Sequence, residues 1–265
     1  MDQQPTLTPG PEINSQPSVI SLLTPEQLKH YPYLTELRLL VNAAFESNHS
    51  GPTSNYLFPS TAQRHETNAQ LLAGLGSDFF TYIISSPIPD NGAPRIYASA
   101  SGRVCIPQEN QSDERPKELQ FLQQTKAIDL EENEVWELRM LVVDPTLHKQ
   151  GLASLLMKAV ETEVVKRSME KRPQLSKVAS NGMTGNGNGD VLKNKEPPIR
   201  KLILKLGTCR EVNEAYYLRR GFVTTGIVQM PKGVYGASRA WEACSMQRNI
   251  HYTEEQILPS LITRM

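Results

Sequence analysis

Residues 136–167 read WELRMLVVDPTLHKQGLASLLMKAVETEVVKR, and their reading decides the fold. A strand is predicted over 135–143, and Pro145 stops it. From 138 to 143 the run is apolar apart from Arg139, the pattern of a strand covered on both faces in the middle of a sheet. A helix is expected from about Lys149. Leu152, Leu155, Leu156, Ala159, Val160 and Val164 recur at spacings of three and four and form one buried stripe. Gly151 stands at the junction. The N–H groups at a helix start have no partner inside the helix, and the helix dipole favours negative charge there. A side chain at 151 would obstruct close approach of an anion, and glycine accepts angles other residues avoid. The junction is a candidate phosphate site. A core helix on a core strand is the plainer reading of the same residues.

A second segment repeats the arrangement. Residues 201–206, KLILKL, form a short predicted strand followed by Gly207 and Thr208. A helix is expected over 211–220 within CREVNEAYYLRRGF. Gly221 ends it as a C-terminal cap, and Phe222 folds back onto the last turn.

Together VDPTLHKQGLA and the downstream NEAYYLRRGF resemble the GNAT superfamily of acetyl-CoA-dependent N-acetyltransferases. Its members carry a Pro after the fourth strand and a turn written Arg/Gln-x-x-Gly-x-Gly/Ala that holds the CoA pyrophosphate. Here the turn is His148, Lys149, Gln150, Gly151, Leu152, Ala153. His148 stands where Arg or Gln is usual, and its ring still donates a hydrogen bond. Lys149 replaces a frequent Gly, and its charge favours phosphate. The resemblance also assigns Leu141, Val142 and Val143, at the end of the strand, to the cofactor side. Downstream, Tyr217 lies four residues before Gly221, the family's general-acid position, with Tyr216 as its aromatic partner. The family's Asn position falls on Arg210, and Asn213 lies nearer the Tyr; Asn213 and Tyr216 join the expected CoA contacts. The resemblance implies an α/β fold with a mixed, mostly antiparallel central sheet, flanked by helices and splayed at its central strands to admit CoA. It spans residues 18–250 and is specific between 138 and 222.

Acetyl transfer sets chemical demands. A primary amine, with a pKa of about 10, must lose a proton before it attacks a thioester. The reaction needs a base or water chain, an oxyanion site and an acid for the departing thiolate. Tyr217 is the acid by resemblance, and an ordinary core tyrosine without it. The oxyanion donor is a backbone N–H near Leu141 or Val142, freed by a bulge. Glu137 is the candidate base. Alternation places Glu137, Arg139 and Leu141 on one face, barring a bulge. Glu137 and Arg139 as plain strand-end surface groups is the alternative. His49, His65 and His251 are expected to be solvent-exposed, and His30, beside Tyr31, has no feature that singles it out.

Composition narrows the rest. Hydrophobic residues make up 38% of the 265, low enough to imply disordered portions. The 28 basic and 28 acidic residues cancel, which gives no bias toward nucleic acid or a membrane surface. Cys105, Cys209 and Cys244 are scattered, which points to a reducing compartment and no structural zinc. No metal ligand set is expected. The N-terminus is polar and unlike a signal peptide, and no apolar run approaches a membrane span. A cytoplasmic location is expected, a nuclear one remaining open.

Residues 1–17 are expected to be a disordered tail, 18–250 one domain, and 251–265 a C-terminal extension. Strands are expected over 19–22, 79–85, 96–105, 223–230 and 241–248. Helices are expected over 25–45, interrupted at Pro32, over 66–75, and briefly over 119–126. Residues 48–60 and 107–118 read as loops. Residues 168–198, with NGMTGNGNGD, read as a low-complexity loop insertion. The partners implied are acetyl-CoA and an amine acceptor. A small-molecule amine leads; a peptide acceptor and a non-catalytic CoA-binding module are the alternatives. Phe45, Glu46, Tyr56, Phe58 and Tyr235 flank the expected amine side.

Overall fold

The computed structural model describes residues 4–49, 63–87, 92–105, 133–180 and 201–250. Among these, eight strands form one sheet in the order β1 Thr6–Pro9, β2 Val19–Leu23, β3 Phe79–Ser85, β4 Ile96–Val104, β5 Asn133–Val143, β6 Lys201–Cys209, β8 Trp241–Ile250, β7 Val223–Met230. Pairing is antiparallel throughout except between β5 and β6. The helices are α1 Pro25–Lys29, α2 Leu34–His49, α3 Asn68–Leu75, α4 Leu152–Ser180 and α5 Arg210–Leu218. This is the expected mixed, mostly antiparallel α/β architecture.

The parallel pair β5–β6 sets up the site. Its register runs from Asn133↔Lys201 only as far as Glu137↔Lys205. β5 continues to Val143 and β6 to Cys209, so the two strands diverge beyond that point. β6 is longer than the six residues expected. Its continuation is held by β8, which pairs with it as far as Cys209↔Ala243.

The two faces of the sheet carry separate cores. α4 covers one: Leu156, Val160 and Val164 pack with Phe80, Trp136 and Phe222. α2 and α3 cover the other, where Leu37, Val41 and Leu71 meet Ile83, Met140 and Val142. The α4 stripe differs from the expected one at Leu155, which is 37% exposed, while Met157 and Val165 are buried. The helix also starts later, at Leu152. Pro32 separates α1 from α2 as expected. Each of α1 and α3 starts on a capping box, Thr24 with Gln27 and Thr67 with Gln70.

Two organisational expectations are corrected. Residues 1–17 are not wholly a disordered tail: Thr6–Pro9 pairs with β2, and Ile13 is buried in the α4-side core. TLTP has exposed side chains and no apolar alternation, so the strand is made by backbone pairing alone. The 168–198 segment does not begin as a loop, because α4 continues to Ser180. The helix expected at 119–126, the 107–118 loop, most of the 48–60 loop, the remainder of the insertion, and 251–265 lie outside the described residues.

Candidate active site

The β5–α4 junction is built from local polar contacts. Asp144 takes the turn: the Thr146 N–H donates to its Oδ1 at 2.9 Å and Arg95 to its Oδ2 at 2.8 Å. Its own N–H donates to the Tyr97 carbonyl at 2.8 Å, which ties the strand end to β4. A 3-10 turn, Pro145–Leu147, follows, with Leu147 buried beneath it. His148, Lys149, Gln150 and Gly151 are all exposed. Lys149 has φ +68° and Gly151 φ +84°.

Gly151 is required by that φ, a region where a Cβ is strained, and not by crowding. A Cβ there would meet nothing within 4 Å, so the space beside the turn is open. The first α4 hydrogen bond runs from the Leu155 N–H to the Gly151 carbonyl at 3.0 Å. The amides of Leu152, Ala153 and Ser154 precede the first intrahelical hydrogen bond and carry the positive end of the helix dipole. An open, glycine-started helix mouth fits a pyrophosphate.

Beside it, α5 ends in a Schellman motif. The Phe222 N–H donates to the Tyr217 carbonyl at 3.2 Å and the Gly221 N–H to Leu218 at 3.1 Å, with Gly221 at φ +78°. The Phe222 ring returns onto Tyr217, their centroids 5.5 Å apart. Arg220 lies 3.5 Å from the centroid of the Tyr216 ring and donates to Ser154 Oγ at 3.2 Å. The end of α5 is thereby fastened to the first turn of α4.

Between the diverging β5 and β6 lies a cleft of about 270 Å³. Glu137, Leu141, Val142, Asn213 and Tyr217 line it. The turn residues 148–153 do not, and neither do Val143 or Tyr216. Burial raises the Tyr217 hydroxyl well above the usual tyrosine range, and Tyr216 adds to the rise, so it is protonated at any ordinary pH. Asn213 Nδ2 donates to Thr208 Oγ1 at 3.0 Å. Arg210, at the family's Asn position, is spent on Glu214 at 3.0 Å and Glu242 at 2.7 Å.

β5 carries the anticipated bulge, centred on Met140 at φ +50°. Ser99 pairs with Val142 and Ser101 with Arg139, so β4 gives one residue, Ala100, where β5 gives two. This corrects the simple alternation. Trp136 and Leu138 face the α4 core, whereas after the bulge Met140 and Val142 face the α2–α3 core. Leu141 packs against the α4-side core and does not share a face with Glu137 and Arg139.

Glu137 is largely enclosed, and its Oε2 accepts from Arg103 Nε at 2.9 Å and lies 2.9 Å from Arg139 Nε. Arg139 also donates to the Gly74 carbonyl at the end of α3.

The other wall was read only in part from the sequence: Phe45 and Tyr235 were expected on the amine side and line the cleft, and Arg64, His65, Gly74 and Trp241 join them. His65 was expected in solvent, but it is half-buried and lines the cleft. Burial first, then Arg64 and Arg38, lower its pKa to about 4. His30 is exposed, with its Nε2 2.8 Å from Glu26. The His49 side chain and His251 lie outside the described residues. Among the described residues no three His, Cys, Asp or Glu side chains cluster as a metal site, and no helix is long and apolar enough to cross a membrane.

Residues 116–182, which include the end of β5, the turn and α4, match the model of the acetyltransferase (GNAT) family. That match spans 67 of the 265 residues. No curated protein matches its sequence. Similar solved structures include the ribosomal-protein-S18-alanine N-acetyltransferase of Escherichia coli, at 15% identity and TM-score 0.45, covering 90% of this chain and 97% of that one. Arabidopsis thaliana NAA60 in complex with acetyl-CoA is similar at 14% identity and TM-score 0.42, covering 87% and 98%. An aminoglycoside 6'-N-acetyltransferase complexed with coenzyme A is similar at 12% and 0.41, covering 85% and 96%.

Proposed function

We propose that this protein acetylates a small-molecule amine by direct transfer, with acetyl-CoA and amine bound together. One observation carries the reading: Tyr217, the β5 bulge and Glu137 line a single cleft where β5 and β6 part. Acetyl-CoA supplies the thioester acyl group. His148, Lys149, Gln150, Gly151, Leu152 and Ala153 hold its pyrophosphate by charge and by amides at the helix start. Leu141, Val142 and Val143 present the β5 edge that β6 leaves beyond Glu137. Asn213 and Tyr216 flank the same end from α5. The bulge orients a backbone N–H near Leu141 or Val142 toward the acyl oxygen.

Tyr217 donates the proton to the departing thiolate. Its raised pKa keeps the donor loaded. Glu137, the carboxylate among the described lining residues, receives the proton of the attacking amine through water. A cleft of about 270 Å³ is at the size of small-ligand pockets, which favours a compact acceptor.

Tyr217→Phe tests this assignment. Acetyl-CoA affinity is expected to survive, while kcat falls roughly 10²-fold or more, the lower range for general acid catalysis. An unchanged kcat removes Tyr217 from the mechanism.

A further inference from the structure

We infer that Arg220 binds a phosphate of acetyl-CoA, its guanidinium standing at the first turn of α4 as a cation held in place before the cofactor arrives. The inference rests on the acetyltransferase reading above, and it adds to the phosphate seat a residue from outside the 148–153 turn. Arg220 follows the end of α5, one residue before Gly221. Its Nη1 donates to the Tyr216 carbonyl at 3.0 Å, and its Nη2 donates to Ser154 Oγ at 3.2 Å. Its Cζ rests 3.5 Å from the centroid of the Tyr216 ring. Ser154 is exposed, and it is the third of the α4 residues whose amides precede the first intrahelical hydrogen bond, Leu155 to Gly151.

A plainer role accounts for part of this. A cation in the last turn of a helix caps a carbonyl and complements the dipole, and the bond from Nη1 to Tyr216 does that for α5. The bond from Nη2 is not explained by capping, because it leaves α5 and reaches the start of another helix. Nearby arginines are paired with carboxylates: Arg210 with Glu214 and Glu242, Arg248 with Glu161. Arg220 has no carboxylate at ion-pair distance among the described residues, and its surroundings are a ring, a hydroxyl and a carbonyl.

A guanidinium carries five N–H donors, and these two bonds occupy two of them. Resting on an aromatic ring leaves the donors at its edge in a planar fork, the geometry that matches phosphate. Bonds of that kind are charge-assisted and among the strong ones. The ring and the two hydrogen bonds fix the long side chain beforehand, which reduces the ordering cost of the contact. Acetyl-CoA offers two sources of the anion, the pyrophosphate and the 3′-phosphate.

Calorimetric titration of the full chain with CoA and with 3′-dephospho-CoA tests the inference, in the wild type, Arg220→Gln and Arg220→Lys. Arg220→Gln is expected to weaken CoA binding about tenfold or more. Arg220→Lys keeps the charge and is expected to weaken it by about threefold or less. A loss in Arg220→Gln confined to CoA assigns the contact to the 3′-phosphate, and an equal loss with both ligands assigns it to the pyrophosphate. The wild-type affinity is also expected to fall more steeply with added NaCl than that of Arg220→Gln. Both variants lose the planar fork, so a fold defect alone weakens them equally. Equal weakening, equal salt dependence, or wild-type affinity in Arg220→Gln overturns the inference and leaves Arg220 as a helix cap. Absence of CoA binding in the wild type instead defeats the acetyltransferase reading itself, and this inference with it.

Discussion

Single side chains in this protein take their chemistry from enclosure. Tyr217 keeps its proton because burial disfavours the phenolate. His65 loses its proton because burial and two nearby guanidiniums disfavour the imidazolium. The second case has a measurable consequence. The folded pKa of about 4 lies below the ordinary 6.5. Between those values the unfolded chain binds the extra proton, so stability falls as pH is lowered from 6.5 toward 4. Above 6.5 the group is neutral in both states and contributes no slope. His65→Gln is expected to flatten the Tm-against-pH curve in that window and leave it unaltered above. An identical slope in the variant means that His65 is solvated in the folded state.

At the scale of elements, function depends on where regular structure stops. β5 and β6 stop pairing after Glu137↔Lys205, and the cleft is the space so made. α4 begins with a glycine at positive φ, and α5 ends with one. Gly221 is the simpler of the two to probe. A Cβ there would meet nothing within 4 Å, so Gly221→Ala carries the cost of the left-handed backbone alone. That cost is about 1 kcal/mol, the lower end for an L-residue in this region. For a domain of this size it corresponds to a Tm lower by about 2–4 °C in a thermal melt. An unchanged Tm would show that α5 does not end on this Schellman motif.

Across the whole molecule, what was legible in the sequence was local. The β5–turn–α4 unit and the end of α5 are each contained in one stretch of chain, where Pro145, Gly151 and Gly221 punctuate apolar runs. The strands from β2 onward alternate or run apolar, and their bounds follow. β1 was illegible because its side chains are exposed and only its backbone does the pairing. The face of Leu141 turns on the bulge that the sequence reading allowed for, because a single bulged residue, Met140, inverts all that follows it. Part of the amine wall was missed for a different reason. Arg64, His65 and Trp241 come from separated segments, and no spacing rule brings them together with Phe45 and Tyr235.

The account rests most on the helix mouth at Gly151. Its direct test is thermal unfolding with and without acetyl-CoA, in the wild type and in Gly151→Glu, each compared with its own ligand-free melt. At about 100 times the dissociation constant, acetyl-CoA is expected to stabilise the wild type by about 2.7 kcal/mol. Gly151→Glu, with a carboxylate projecting into the open space, is expected to show no shift. An equal shift in both proteins, or none in the wild type, contradicts the assignment of this turn to the pyrophosphate.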